Sequence, residues 1–288
     1  MIDKTFLRSL LSSPPAFFII TFTWSWLFWG AAIFLGAGAD DTIIMVLEIA
    51  AGIGPMIAGI GLIWYNKGSH GLKDFLIRLF DTGRIGHGWY LVIFLIAPVL
   101  TALATLAGAM TAGGNAQGLS DLASSSLWSL ALFAVFTLFF GPVPEEIGRF
   151  GHAIDVLQSR YSALVSSLLL GTAWAVWHLP LFFINGTYQH GLGFGSTLFW
   201  IYLIVMIPEN IVMTWVYNNA GRSVLSAVLI HFMINFTGEL ALLSVIGEAY
   251  LAILWTAVAV SVCVLFGTKT MKIRDRSSEA LVTAEHAY

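Results

Sequence analysis

Charge is what this sequence has least of. Only 10% of its 288 residues are Asp, Glu, Lys or Arg, against about 25% in soluble domains, and 58% are hydrophobic. A soluble globular fold is excluded. Cysteine is nearly absent as well. The single Cys263 can make no internal disulfide, and in its apolar run it reads as a packing residue. There is no basic surplus: the net charge is −3, so no nucleic-acid partner is expected. No internal repeat is evident, although many transporters carry one.

What the chain does have is long apolar runs. Eight of them, each about 20 residues and long enough to span a bilayer, lie at 16–37, 43–65, 89–110, 126–147, 162–184, 195–217, 223–245 and 249–267. The fold class is therefore all-α, a polytopic membrane protein with about eight transmembrane helices. The small residues at 37–39 look like a cleavage site. However, the run before them exceeds the roughly 7–15 residues of a signal-peptide core, so it reads as a retained first helix.

The basic residues test this count. Lys4 and Arg8 precede the first run. Lys67, Lys73, Arg78 and Arg84 fall in the second connection, Arg149 and Arg160 in the fourth, and Arg222 in the sixth. Lys269, Lys272, Arg274 and Arg276 lie in the tail. The odd-numbered connections hold no Lys or Arg, so all 13 bases fall on one face. The positive-inside rule then puts both termini in the cytoplasm. The organisation that follows is a cytoplasmic segment 1–15, an eight-helix membrane domain 16–267, and a polar, loose cytoplasmic tail 268–288. Between Lys67 and Arg84, Leu72, Phe75, Leu76 and Leu79 are apolar at helical spacing, with Lys73 and Arg78 off the stripe. This predicts a separate helix in the membrane interface. Gly52, Gly54 and Pro55 interrupt the second run, predicting close helix approach and a kink.

Ionisable groups are expensive in hydrocarbon and are functional by default there. Glu145 and Glu146 end the fourth run. His178 interrupts the fifth, four residues after Trp174. In the seventh, His231 and Asn235 are also four apart and share a helix face. A carboxylate near a histidine can hold and deprotonate a water, and a histidine with an asparagine amide can donate to a developing oxyanion. That set performs acyl-transfer hydrolysis with no side-chain nucleophile. Zinc is the alternative, with Glu145, His178 and His231 as ligands and one position left for water. The residue types leave the two readings open. Glu48, Glu209 and Glu239 are further acids in the runs without an assigned role.

The runs EEIGRFG, WAVWHLPLFF and HFMIN, in that order, resemble the three motifs of the CAAX protease and bacteriocin-processing family, also called the Abi family. GIGPMIAG and TWVYNN look like further family features. The resemblance covers roughly residues 52–235 and implies a membrane-embedded endopeptidase in a prokaryotic cell membrane. The implied substrate is a peptide or a lipidated protein in the bilayer. By that resemblance Glu145 matches the water-activating glutamate with Glu146 as its neighbour, and His178 matches the histidine that assists the water. His231 and Asn235 match the oxyanion pair, and Arg149 and Trp174 are supporting residues; no cofactor is favoured, and zinc is the alternative. Two positions depart from the family pattern. Phe150 stands where the arginine is expected, with Arg149 one residue early, and Trp174 replaces the usual phenylalanine. Arg149 is still spaced to pair with either glutamate.

Two other functions fit the composition: a non-catalytic immunity or adaptor protein of the same fold, and a proton-coupled transporter. The span limits also pose a geometric problem. They place Glu145 at the basic end of helix four and His178 toward the opposite end of helix five, about 20 Å apart in depth. The site is expected to form if helix four continues past Glu146 and tilts, or if helix five starts well outside the lipid, and to open toward the basic face.

Overall fold

A computed structural model describes residues 11–36, 40–112 and 126–273. Lys4, Arg8, the small residues at 37–39, the third connection and the tail beyond 273 lie outside the described residues. The chain is all-α, and eight helices among the described residues are long and apolar enough to cross a membrane.

The first span is α1, Pro14–Leu35. The second is α2, Asp41–Gly52, followed by α3, Gly54–Phe80. The third is α4, His87–Ala112. The fourth is composite: α5, Leu127–Phe140; α6, Pro142–Gly148; a π-helical turn, Arg149–Ala153; and α7, Ile154–Gln158. The fifth joins α8, Ala163–Trp177, to a 3₁₀ turn, Leu179–Phe183. After a short helix α9, Tyr188–Leu192, come α10, Thr197–Asn219, α11, Val224–Ala241, and α12, Val245–Phe266. Side chains of Asp40, Ser126, Ser162, Ser196, Ser223 and Ser244 accept from backbone N–H groups at the starts of α2, α5, α8, α10, α11 and α12. These caps stop the apolar runs from fraying.

The helix that follows the second span and the length of the fourth span both matter for the site. The separate helix expected between Lys67 and Arg84 is present: the backbone breaks at Gly68, with φ 59° and ψ −152°, and a second helical piece of α3 runs on to Phe80. Arg78 is buried. It donates to Asp155 at 2.8 Å, to the Tyr217 hydroxyl at 2.8 Å and to the Gly151 carbonyl at 3.0 Å. The fourth span runs to Gln158 rather than 147, so Arg149 is a buried base and not a loop anchor. The kink expected in the second span is present between Gly52 and Gly54.

Close approach of α3 and α6 explains the glycines of GIGPMIAG and EEIGRFG. A Cβ at Gly59 would come within 2.7 Å of the Gly148 Cα, and one at Gly148 would overlap the Pro55 carbonyl oxygen. A Cβ at Gly151, inside the π-helical turn, would meet Phe75 at 2.8 Å. Arg78 and Phe75 of α3 thus hold the turn from outside. The TWVYNN residues lie at the far end of α10, away from the candidate site. Asn218 and Asn219 donate to the carbonyls of Thr270 and Met271, at 2.9 and 2.7 Å. Residues 268–273 are therefore strapped to α10 and not loose, with Met271 fully buried.

Candidate active site

The fourth span breaks at Gly141, where φ −135° and ψ −83° end α5, and restarts at Pro142. Proline at the first helical position needs no N–H partner, so the restart is natural there. Glu145 and Glu146 follow well inside the fourth span rather than at its end. Glu145 lies 13 residues before Gln158, and His178 lies 15 residues after Ala163. At the helical rise these are depths of about 20 and 22 Å from the same face, so the mismatch disappears.

Spans four, five and seven bring all the expected residues together. Glu145, Glu146, Arg149, Trp174, His178 and His231 are all buried. Trp174 is the hub. Its Nε1 donates to Glu145 Oε2 at 2.7 Å, and the Arg149 guanidinium lies 3.6 Å from the centre of its ring. The rings of His178 and His231 meet it edge-to-face at 5.5 and 4.9 Å.

Glu146 is fully buried behind Glu145. Its Oε1 accepts from Arg149 at 2.5 Å and from His231 Nδ1 at 2.6 Å, while its Oε2 has no partner. Arg149 thus pairs mainly with Glu146 and stands 3.9 Å from Glu145. His178 Nδ1 donates to the Trp174 carbonyl at 2.9 Å, which leaves its Nε2 as an acceptor. Asn235 sits across Gly141: a Cβ at that glycine would lie 3.4 Å from Asn235 Nδ2 and 3.9 Å from Glu145 Oε1.

Glu145, His178, His231 and Asn235 line a cavity of about 690 Å³. The residues that line it come from the base-free end of the bundle, including 186–189, and none comes from the base-bearing connections. The expectation of an opening toward the basic face is therefore corrected. The fifth connection, which carries no Lys or Arg, contributes directly to the wall. Glu48, Glu209 and Glu239, which had no assigned role, line the same cavity.

The sequence reading missed Asn210. It accepts from Arg149 at 2.6 Å and donates to the Ser167 carbonyl at 2.8 Å, so span six also supports the site. A buried amide in an apolar run was the available signal. Glu248, at the start of α12, was missed as well and also lines the cavity.

The metal-ligand set expected from sequence is not the one the fold clusters. Among the described residues, ligand atoms of Glu145, Glu146 and His231 lie within 4.8 Å of one another, without His178. One oxygen of each carboxylate in this set is already engaged: Glu145 Oε2 accepts from Trp174, and Glu146 Oε1 accepts from Arg149 and His231 Nδ1.

The fold and site define a polytopic membrane protein with a buried carboxylate–histidine centre at mid-depth. Residues 126–237, which carry that centre, match the family model described as type II CAAX prenyl endopeptidase, Rce1-like. Over 230 residues the chain is 30% identical to CAAX prenyl protease 2 of Methanococcus maripaludis, covering 79% of this chain and 84% of that protein. The chain belongs to the CAAX prenyl protease family.

Proposed function

We propose that the protein is an intramembrane endopeptidase. It hydrolyses a peptide bond of a membrane-associated, prenylated peptide or protein, with Glu145 as general base on a water. The observation that carries this is the division of labour within the glutamate pair. Glu145 borders the cavity, as Asn235 does, while Glu146 is committed to Arg149 and His231.

A water held on Glu145 Oε1 can give its second hydrogen to the acceptor nitrogen of His178. Attack on the scissile carbonyl transfers the water proton to Glu145 and places negative charge on the carbonyl oxygen. Asn235 Nδ2 donates to that oxygen. His231 joins through Nε2 when its ring carries both protons, a form that the Glu146 carboxylate at Nδ1 counter-charges. Glu145 then passes its proton to the leaving amine as the C–N bond breaks. Apolar side chains of Met45, Ile49, Phe136, Phe139 and Phe140 in the cavity wall suit a lipid chain. The archaeal relative supports a prokaryotic cell membrane as the location. The early arginine does not argue for a decayed site, because Arg149 still reaches Glu146.

The test is cleavage of a farnesylated CAAX-type peptide by purified protein in nanodiscs, read by product mass. Wild type should release the terminal tripeptide, and Glu145→Gln should lower turnover by about 10²–10⁴-fold. Turnover should survive chelators, and the active protein should carry no stoichiometric zinc. Full activity in Glu145→Gln, or zinc that tracks activity, overturns the mechanism.

A further inference from the structure

The cavity holds more acid than the proposed chemistry uses. Glu48, Glu209, Glu239 and Glu248 line it together with Glu145, and no lysine or arginine does. Glu239 stands four residues beyond Asn235 and eight beyond His231, so it continues the site's own helix face toward the base-free end of α11. Glu248 lies in the first turn of α12, across the short connection that follows. It lines the same cavity as Glu209, Glu239 and Tyr188. These acids therefore form one wall, leading from the catalytic centre to the cavity's base-free end.

Two buried groups on this cavity lack partners. Glu209 is only 6% exposed and makes no hydrogen bond or ion pair with any described residue. The nearby cation, Arg149, is already bonded to Glu146 and Asn210. The Thr137 hydroxyl, on another lining residue, is buried without a partner. A buried carboxyl without a partner is either neutralised or met by a cation, and no free cation of the described residues lines this cavity to meet Glu209. A metal is a poor occupant. The acids come from α2, α10, α11 and α12, and among the described residues only Glu145, Glu146 and His231 cluster at ligand distances. A long, flexible cationic side chain can reach such a dispersed wall.

We propose that Glu209, Glu239 and Glu248 form a subsite for a lysine or arginine side chain of the substrate, next to the scissile bond. This rests on the endopeptidase reading above.

The experiment uses a set of farnesylated CAAX-type peptides that differ only by lysine or uncharged norleucine, scanned through the positions around the cleavage point. The proteins are wild type and Glu209→Gln, Glu239→Gln and Glu248→Gln, in nanodiscs. At one position wild type should prefer lysine by at least about tenfold in kcat/KM, and the variants should bring that ratio close to one. The ratio is taken within one preparation, so loss of folded protein affects both peptides alike. Equal cleavage of lysine and norleucine peptides at every position overturns the subsite. So does a lysine preference that all three variants retain. If wild type cleaves no peptide, the endopeptidase reading fails instead, and the subsite is then judged by binding. Tighter binding of lysine than of norleucine peptides to wild type, lost in Glu209→Gln, upholds it, and equal binding overturns it.

Discussion

The Trp174 indole nitrogen donates to Glu145 at 2.7 Å, and the Arg149 guanidinium packs 3.6 Å from the centre of the same ring. One side chain therefore orients the proposed base and seats the cation of the glutamate pair. Trp174→Phe keeps a ring under Arg149 and between the two histidines but removes the N–H. A hydrogen bond to a charged group contributes about 1.5–3 kcal/mol, so kcat should fall by roughly 10- to 150-fold with KM little changed. Steady-state kinetics on the farnesylated peptide reads this directly. A change confined to KM would assign Trp174 to substrate binding instead.

The two departures from the family's motif pattern meet in this contact. The early arginine and the tryptophan in place of phenylalanine look unrelated in sequence, yet they stack on each other. Their effects should therefore not add. A double-mutant cycle of Arg149→Ala and Trp174→Ala on kcat/KM should give a coupling of roughly 0.5–3 kcal/mol. Simple additivity would mean the stacking is incidental.

The eight spans were legible because hydrocarbon demands long apolar runs, and the motif residues stood out because they break those runs. The end of span four and the burial of the helix after span two were harder to read. Arg78 and Arg149 look like loop anchors in sequence, and only their folded partners, Asp155 and Glu146, make burial tolerable. The π-helical turn at Arg149–Ala153 has no sequence signature, and it is held from outside by Arg78 and Phe75. The separate duties of Glu145 and Glu146 depend on how α6 is rotated against α8 and α11, which adjacent positions in a sequence cannot convey. The direction of the cavity depends on which helix ends diverge, and apolar runs say nothing about that.

Packing at the first-motif glycine, Gly148, gives a stability test away from the chemistry. A methyl group at Gly148 would overlap the Pro55 carbonyl oxygen, which belongs to backbone and cannot swing aside. Gly148→Ala should push α3 and α6 apart and destabilise the protein by roughly 1–3 kcal/mol. Gly61→Ala, on the same α3 but with open space at its Cβ, serves as the control. Thermal unfolding in detergent should separate the two variants. Equal transition temperatures would show that the α3–α6 contact yields easily.

The cavity's orientation can be tested in intact cells. If the base-bearing connections face the cytoplasm, the wall formed by residues 186–189 faces the other side. Cys263 is the single native cysteine, so a Cys263→Ser background leaves one engineered thiol at a time. Gln189→Cys should react with a membrane-impermeant maleimide in intact cells, and pre-incubation with a farnesylated peptide should slow that reaction. Lys67→Cys and Arg160→Cys should react only after permeabilisation. The opposite pattern would invert the topology and put the cavity on the cytoplasmic side, where a prenylated protein would meet it directly. The expected pattern instead requires a substrate to reach the site from the outer half of the bilayer. It makes peptides presented on that side the appropriate substrates for the cleavage assay.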